Sequence, residues 1–166
     1  MNETWKIMAK GTVNGLIAGV AGTLAMTVSE VLEERITGRP PSYIPAHVME
    51  RFLGLPTKPD KERKALNWAA HIGMGIAPAA WRGIMAEGGL RGPMSNLLYT
   101  AGRITFDETF ENVSGVGKPP WEWPMGLATI DVMHKAVYAF TTGMVADRLA
   151  TTPPPRAVRE GGHAPA

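Results

Sequence analysis

The sequence predicts an all-α protein: a four-helix transmembrane bundle with a short interfacial helix in its first connection. Three observations predict it. Residues 11–29 (GTVNGLIAGVAGTLAMTVS) carry no charged side chain, and residues 65–81 (ALNWAAHIGMGIAPAAW) carry only His71. Small residues recur at four-residue spacing in the first of these segments, at Gly11, Gly15 and Gly19, with Ala18/Gly22 and Ala21/Ala25 in the same rhythm. All five tryptophans fall near the ends of the predicted spans. Bulk composition argues the other way, since a hydrophobic content of 45% is ordinary for a protein in water. The mean hydropathy of −0.06 is also low for a membrane protein. The distribution of residues therefore carries the expectation.

The first helix is expected over about 11–35. A glycine inside a water-exposed helix costs about 1 kcal/mol relative to alanine. In lipid, small residues at this spacing let two helix backbones approach closely. Gly11, Gly15, Gly19 and Gly22 are the expected packing residues, joined by Ala139 and Gly143 near the end of the chain. Gly38 and then Pro40-Pro41 stop the helix. Lys6 and Lys10 before an apolar run also fit a signal peptide, but no small-x-small site precedes Ser29-Glu30. An uncleaved first helix is the expectation, with a removed leader as the alternative.

Pro45 opens a short helix whose apolar residues are Val48, Met49, Phe52 and Leu53, and Gly54 closes it. It suits either the membrane surface or the top of the bundle. The second long helix is expected over about 60–87, with Asp60 as N-cap and a kink at Pro78. The third runs from Pro93 over about 93–112, with Arg103 inside its apolar part. The fourth covers about 124–149. A crossing needs about 20 apolar residues, which the third and fourth helices reach only with charges included. Residues 1–150 thus form one helical domain, and the Pro- and Gly-rich residues 151–166 a disordered tail.

Trp5, Trp68, Trp81, Trp121 and Trp123 are the expected interfacial anchors. An indole favours the lipid–water boundary because its ring is apolar and its N–H needs a partner. The competing reading is a soluble four-helix bundle with tryptophans in its core.

Tracing four antiparallel crossings gathers the titratable residues on one side. Glu30 and Glu33 end the first helix, and His71 lies early in the second. Arg103, Asp107 and Glu111 end the third, and Asp131, His134 and Lys135 begin the fourth. His71 and His134 come out at similar depth, and Asp131 and His134 share a helix face. Charges at such depth should face the bundle interior and pair, with Arg103 meeting Asp131 or Glu30 and Lys135 meeting Asp107.

Several chemistries compete for this cluster. It has the ligand types of a carboxylate-rich di-metal centre, but only Asp131-x-x-His134 supplies the required carboxylate-x-x-His, so the metal candidates reduce to His71, Asp131 and His134. His71 and His134 could also ligate haem, although no cofactor is the leading expectation. A proton or ion path is a further reading, and an ion-paired structural cap the simplest one. No catalytic residues stand out, because phosphate loops, G-x-S-x-G and H-E-x-x-H are all missing. Without cysteine there are no disulfides or thiolate sites. A net charge of +2 with no basic stripe excludes nucleic acid as partner. Lys and Arg do not separate the two sides, so orientation stays open. The expected partners are the lipid bilayer and a second copy or a larger membrane complex met through the glycine face of the first helix. The expected role is that of a structural or accessory subunit, with ion conduction and redox cofactor binding as alternatives.

The stretches GLIAGVAGTLAMTVSEVLEERITGRPPSYIPA, NWAAHIGMG, RGIMAEGGLRGP and VGKPPWEWP with IDVMHKAVYAF resemble those of short bacterial membrane proteins over residues 11–149. The membrane arrangement is similar to that of the YagU-like inner-membrane family. This resemblance implies a bacterial inner-membrane location and supplies no catalytic residues.

Overall fold

The computed structural model describes residues 2–153, and among these every regular element is helical. Helix α1 spans Glu3–Thr37 and is longer at its start than the uncharged run. The Asn2 side chain accepts the Thr4 N–H at 2.7 Å, a cap that extends the helix back past Lys6 and Lys10. Gly38 ends it at φ 74°, where its N–H reaches the Glu34 carbonyl. Helix α2 (Ile44–Leu53) follows and ends on Gly54 at φ 62°.

The second long helix departs from expectation at both its start and its middle. Asp60 does not cap it: residues Asp60–Glu62 form a 3-10 turn, the Asp60 carbonyl accepts from Arg63, and its carboxylate lies 2.9 Å from His47. Helix α3 then runs Lys64–Ile76, and Pro78 separates it from α4, Ala79–Glu87. Proline lacks the N–H that would continue the ladder, so the helix breaks. The Gly75 carbonyl beside the break accepts the Tyr138 hydroxyl at 2.5 Å. Helix α5 covers Pro93–Ser114 and α6 covers Met125–Leu149.

Helix α1 is the centre of the packing, with α3, α4 and α6 against it. The glycine face decides this. A β-carbon at Gly11 would lie 2.5 Å from the Ile84 Cα, and one at Gly15 2.7 Å from the Ala80 Cα. From the other side, a β-carbon at Gly83 would sit 2.5 Å from the Gly15 Cα. Gly19 meets the Ala79 side chain and Gly22 meets Thr142. Gly143 is closed over by Asn96, and Ala139 is fully buried. The glycine face of α1 is thus filled by α4 and α6 of the same chain and is not free for a second copy, which corrects the expected route of association. Spacing reveals a close approach but not whose helix makes it.

Helix α2 packs on α3 and α5, burying Ala46, Val48 and Glu50. Glu50 pairs with the buried Arg63, while Phe52 and Leu53 stay half-exposed and Phe52 stacks on Phe110. The start of the expected tail is anchored: the Thr151 and Thr152 N–H groups donate to Glu87 at 3.1 and 3.0 Å. The remainder of that expected tail, 154–166, lies outside the described residues.

The distribution of polarity is inverted. The buried apolar set is mostly alanine with Tyr99 and Tyr138, whereas Arg82, Glu87, Arg103, Asp107, Glu108, His134 and Lys135 are buried. The large aliphatics face outward: Val13, Ile17, Val20, Leu24 and Val28 form one exposed stripe on α1, opposite its glycines. Leu97, Leu98 and Phe106 on α5 and Val132, Met133 and Met144 on α6 extend it. None of the tryptophans is buried; Trp5 is 61% exposed and Trp121 84%. Trp81 lies edge-on to Tyr99, in space left by Gly102. That outcome removes the reading in which the tryptophans form a soluble core.

Candidate functional site

The break at Pro78 creates a cavity. Helix α4 packs on α1 and α6, whereas α3 packs on α1 and α2. A space of about 900 Å³ opens between α3 on one wall and α5 and α6 on the other, with α1 behind it. Gly75, whose carbonyl accepts the Tyr138 hydroxyl, is part of its lining. Tyr138 is also 3.0 Å from the Tyr99 hydroxyl.

Eight of the nine residues expected to form the polar cluster line this one cavity: Glu30, His71, Arg103, Asp107, Glu111, Asp131, His134 and Lys135. Glu33, the ninth, lies behind the wall, with its carboxylate 2.6 Å from Arg39 and 3.7 Å from the His134 Nε2. The expected pairings are replaced by more local ones. Arg103 pairs with Asp107 one turn along its own helix at 2.9 Å, not with Asp131 or Glu30. Lys135 takes Glu108 at 2.9 Å and Asp131 at 2.7 Å, not Asp107. Arg103–Asp107 and Lys135–Asp131 are four apart on one helix and are neighbours there, whereas Lys135–Glu108 ties α6 to α5. Arg39 was missed because it lies beyond the helix; the left-handed turn at Gly38 folds it back onto Glu33 and Glu34.

The two histidines are held by hydroxyls of α1. Thr27 Oγ1 lies 2.9 Å from the His71 Nε2, and Ser29 Oγ lies 2.9 Å from the His134 Nδ1. His71 also has Glu30 at 3.7 Å. Among the described residues no three His, Asp or Glu side chains converge as metal ligands, so His71, Asp131 and His134 share a cavity without forming a metal site.

Several buried atoms of the cluster have no hydrogen-bond partner. They include Arg103 Nε and Nη1, Asp107 Oδ1, Glu108 Oε2, Glu111 Oε2 and His134 Nε2. Buried polar atoms are nearly always satisfied, and each exception calls for a water or a ligand.

A second buried polar group, with no motif to mark it, sits at the opposite end. Arg82, fully buried, donates to Asp147 at 2.7 Å and to Asn96 at 2.8 and 3.2 Å. Asp147 also accepts the Gly92 N–H at 2.8 Å. Glu87 accepts from Asn14 at 2.9 Å and from the Thr152 hydroxyl at 2.7 Å. None of these four groups leaves a buried atom unpartnered.

No family model, no curated protein and no solved structure matches the chain. Among the described residues one helix, α1, is long and apolar enough to cross a membrane, with a mean hydropathy of 1.6 over its best window.

Proposed function

We infer that the chain is an integral protein of the bacterial cytoplasmic membrane that crosses the bilayer four times and takes up a small solute into a chamber open to one face. The crossings are α1, the broken pair α3–α4, α5 and α6. The observation that carries the reading is the inverted polarity. In water, each buried large aliphatic side chain stabilises a fold by about 1.5–3 kcal/mol, so such residues should lie inside. Here they line the outside of three long helices, and charges fill the interior. Only 28% of the apolar window of α1 is buried, unlike the core helix of a soluble bundle. In lipid this arrangement is the favoured one, with charges turned inward and small residues between the backbones.

The solute-handling reading is favoured over the accessory one because the glycine stripe meets α4 and α6. An accessory subunit would have no use for a 900 Å³ chamber lined by titratable side chains.

The chain has no cysteine, so single cysteines report access cleanly. In washed membranes, Val20→Cys and Leu24→Cys should stay unlabelled by a water-soluble maleimide. Lys118→Cys should react from one face and Thr151→Cys from the other. Rapid labelling of Val20→Cys, or recovery of the chain from the aqueous fraction without detergent, ends this reading.

A further inference from the structure

Building on the chamber described above, we propose that its ligand is an organic cation with an apolar body, an amine or a quaternary ammonium. Besides Glu122 at the exposed rim, seven carboxylates lie in or directly behind the chamber walls: Glu30, Glu33, Glu34, Asp107, Glu108, Glu111 and Asp131. Three cations answer them at that depth. Arg39 serves Glu33 and Glu34, Arg103 serves Asp107, and Lys135 serves Glu108 and Asp131. Among the described residues, Glu30 and Glu111 have no lysine or arginine within ion-pair distance. Lys64 and Lys118 stand at the mouth with exposed side chains.

The surplus of negative charge alone would not define a site. The second observation is the character of the walls: Trp68, Trp123 and Tyr43 line the chamber beside Met74, Leu127 and Ile130. A cation against an aromatic face gains about 0.5–2 kcal/mol, and more as water is excluded. Arg103 also has unpartnered donors, Nε and Nη1, which would suit an anion. Its guanidinium already faces the Tyr138 ring at 5.3 Å and pairs with Asp107, so its charge is compensated.

The test uses the full chain purified in detergent and titrated with benzyltrimethylammonium, with benzenesulfonate and the zwitterion phenylalanine as comparison probes. Saturable binding of the ammonium should be at least tenfold tighter than that of either comparison. Glu111→Gln and Glu30→Gln should each weaken it about tenfold, the usual scale for removing one partner of a desolvated charge pair. Glu122→Gln, at the exposed rim, should change it less than twofold. Helicity and thermal unfolding of the Gln variants, measured alongside, separate lost binding from lost folding. Tighter binding of the sulfonate or of phenylalanine overturns the proposal, as does the lack of saturable ammonium binding. The labelling of Val20→Cys is read independently. A protected Val20→Cys with no ammonium binding removes the cation and leaves the membrane reading standing. A labelled Val20→Cys removes the membrane reading, and the titration still decides the cation.

Discussion

The two ends of the bundle bury similar chemistry and use it differently. At one end Arg82, Glu87, Asn96 and Asp147 saturate one another and the neighbouring backbone. At the other, Arg103, Asp107, Glu111 and His134 surround open space and leave polar atoms unanswered. A buried charge is costly, so a network lasts as structure only when every member is satisfied. The satisfied end works as a staple joining α4, α5, α6 and the segment after α6. The unsatisfied end, at comparable burial, is the one with room for another molecule.

The largest expected effect tests the staple. Arg82→Met strands Asp147 and Asn96 in the interior and should cost about 3–5 kcal/mol, the usual penalty for removing one partner of a buried pair. Thermal unfolding in detergent would show a large drop or failure to recover folded protein. Adding Asp147→Leu should restore much of the loss, because the orphaned charge is gone. An Arg82→Met protein as stable as the parent would erase the distinction between the two ends.

Next comes the crossing that holds the ends together. Gly15→Leu forces a side chain against the α4 backbone, where a β-carbon alone would stand 2.7 Å from the Ala80 Cα. Overpacking of this kind costs about 1–3 kcal/mol or more. The expected result is lower thermal stability in a chain whose state of association is unchanged. Loss of a partner at undiminished stability would instead mean that α1 meets another chain there.

How much of this could be read from the sequence depends on locality. Helix ends at Gly38, Gly54 and Pro93 were visible because caps and breaks are written in adjacent residues. The one-sided cluster was visible because in an antiparallel helical bundle the end of one helix lies beside the start of the next. The Arg82 staple was not, because position near a span end does not tell whether a side chain faces water or the interior. Gly83 was hidden for a similar reason. It lies in WRGIM with no repeat to mark it, and only the crossing with Gly11 and Gly15 gives it meaning. Asn2 and Arg39 show the opposite failure, local signals outside the apolar runs on which the span boundaries were drawn.

A smaller effect sharpens the boundary of the chamber. Tyr138→Phe removes a hydroxyl that lies between the Gly75 carbonyl and the Tyr99 hydroxyl. One net hydrogen bond is about 1 kcal/mol, and the carbonyl freed by the Pro78 break would lose its partner. A drop of that size in unfolding free energy is expected. A cysteine at Met74 should also become more reactive toward a water-soluble maleimide as the lining at Gly75 loosens. Unchanged stability and reactivity would mean that the contact does not hold the lining in place.

The smallest expected effect is the most discriminating. Glu111→Gln keeps the shape of a chamber-lining side chain and removes a charge that no lysine or arginine answers within ion-pair distance. Its Oε2 makes no hydrogen bond, so the fold loses nothing when that atom becomes an amide. Stability should stay within about 0.5 kcal/mol of the parent, the range of substitutions that break no contact. The same change at the staple, Glu87→Gln, replaces one carboxylate acceptor with a donor that faces the Thr151 or Thr152 N–H, and should be clearly destabilising. Paired unfolding curves for the two variants thus place each carboxylate: one tuned to its own chain, the other held ready for something the chain does not contain. Equal losses at both positions would make Glu111 as structural as Glu87.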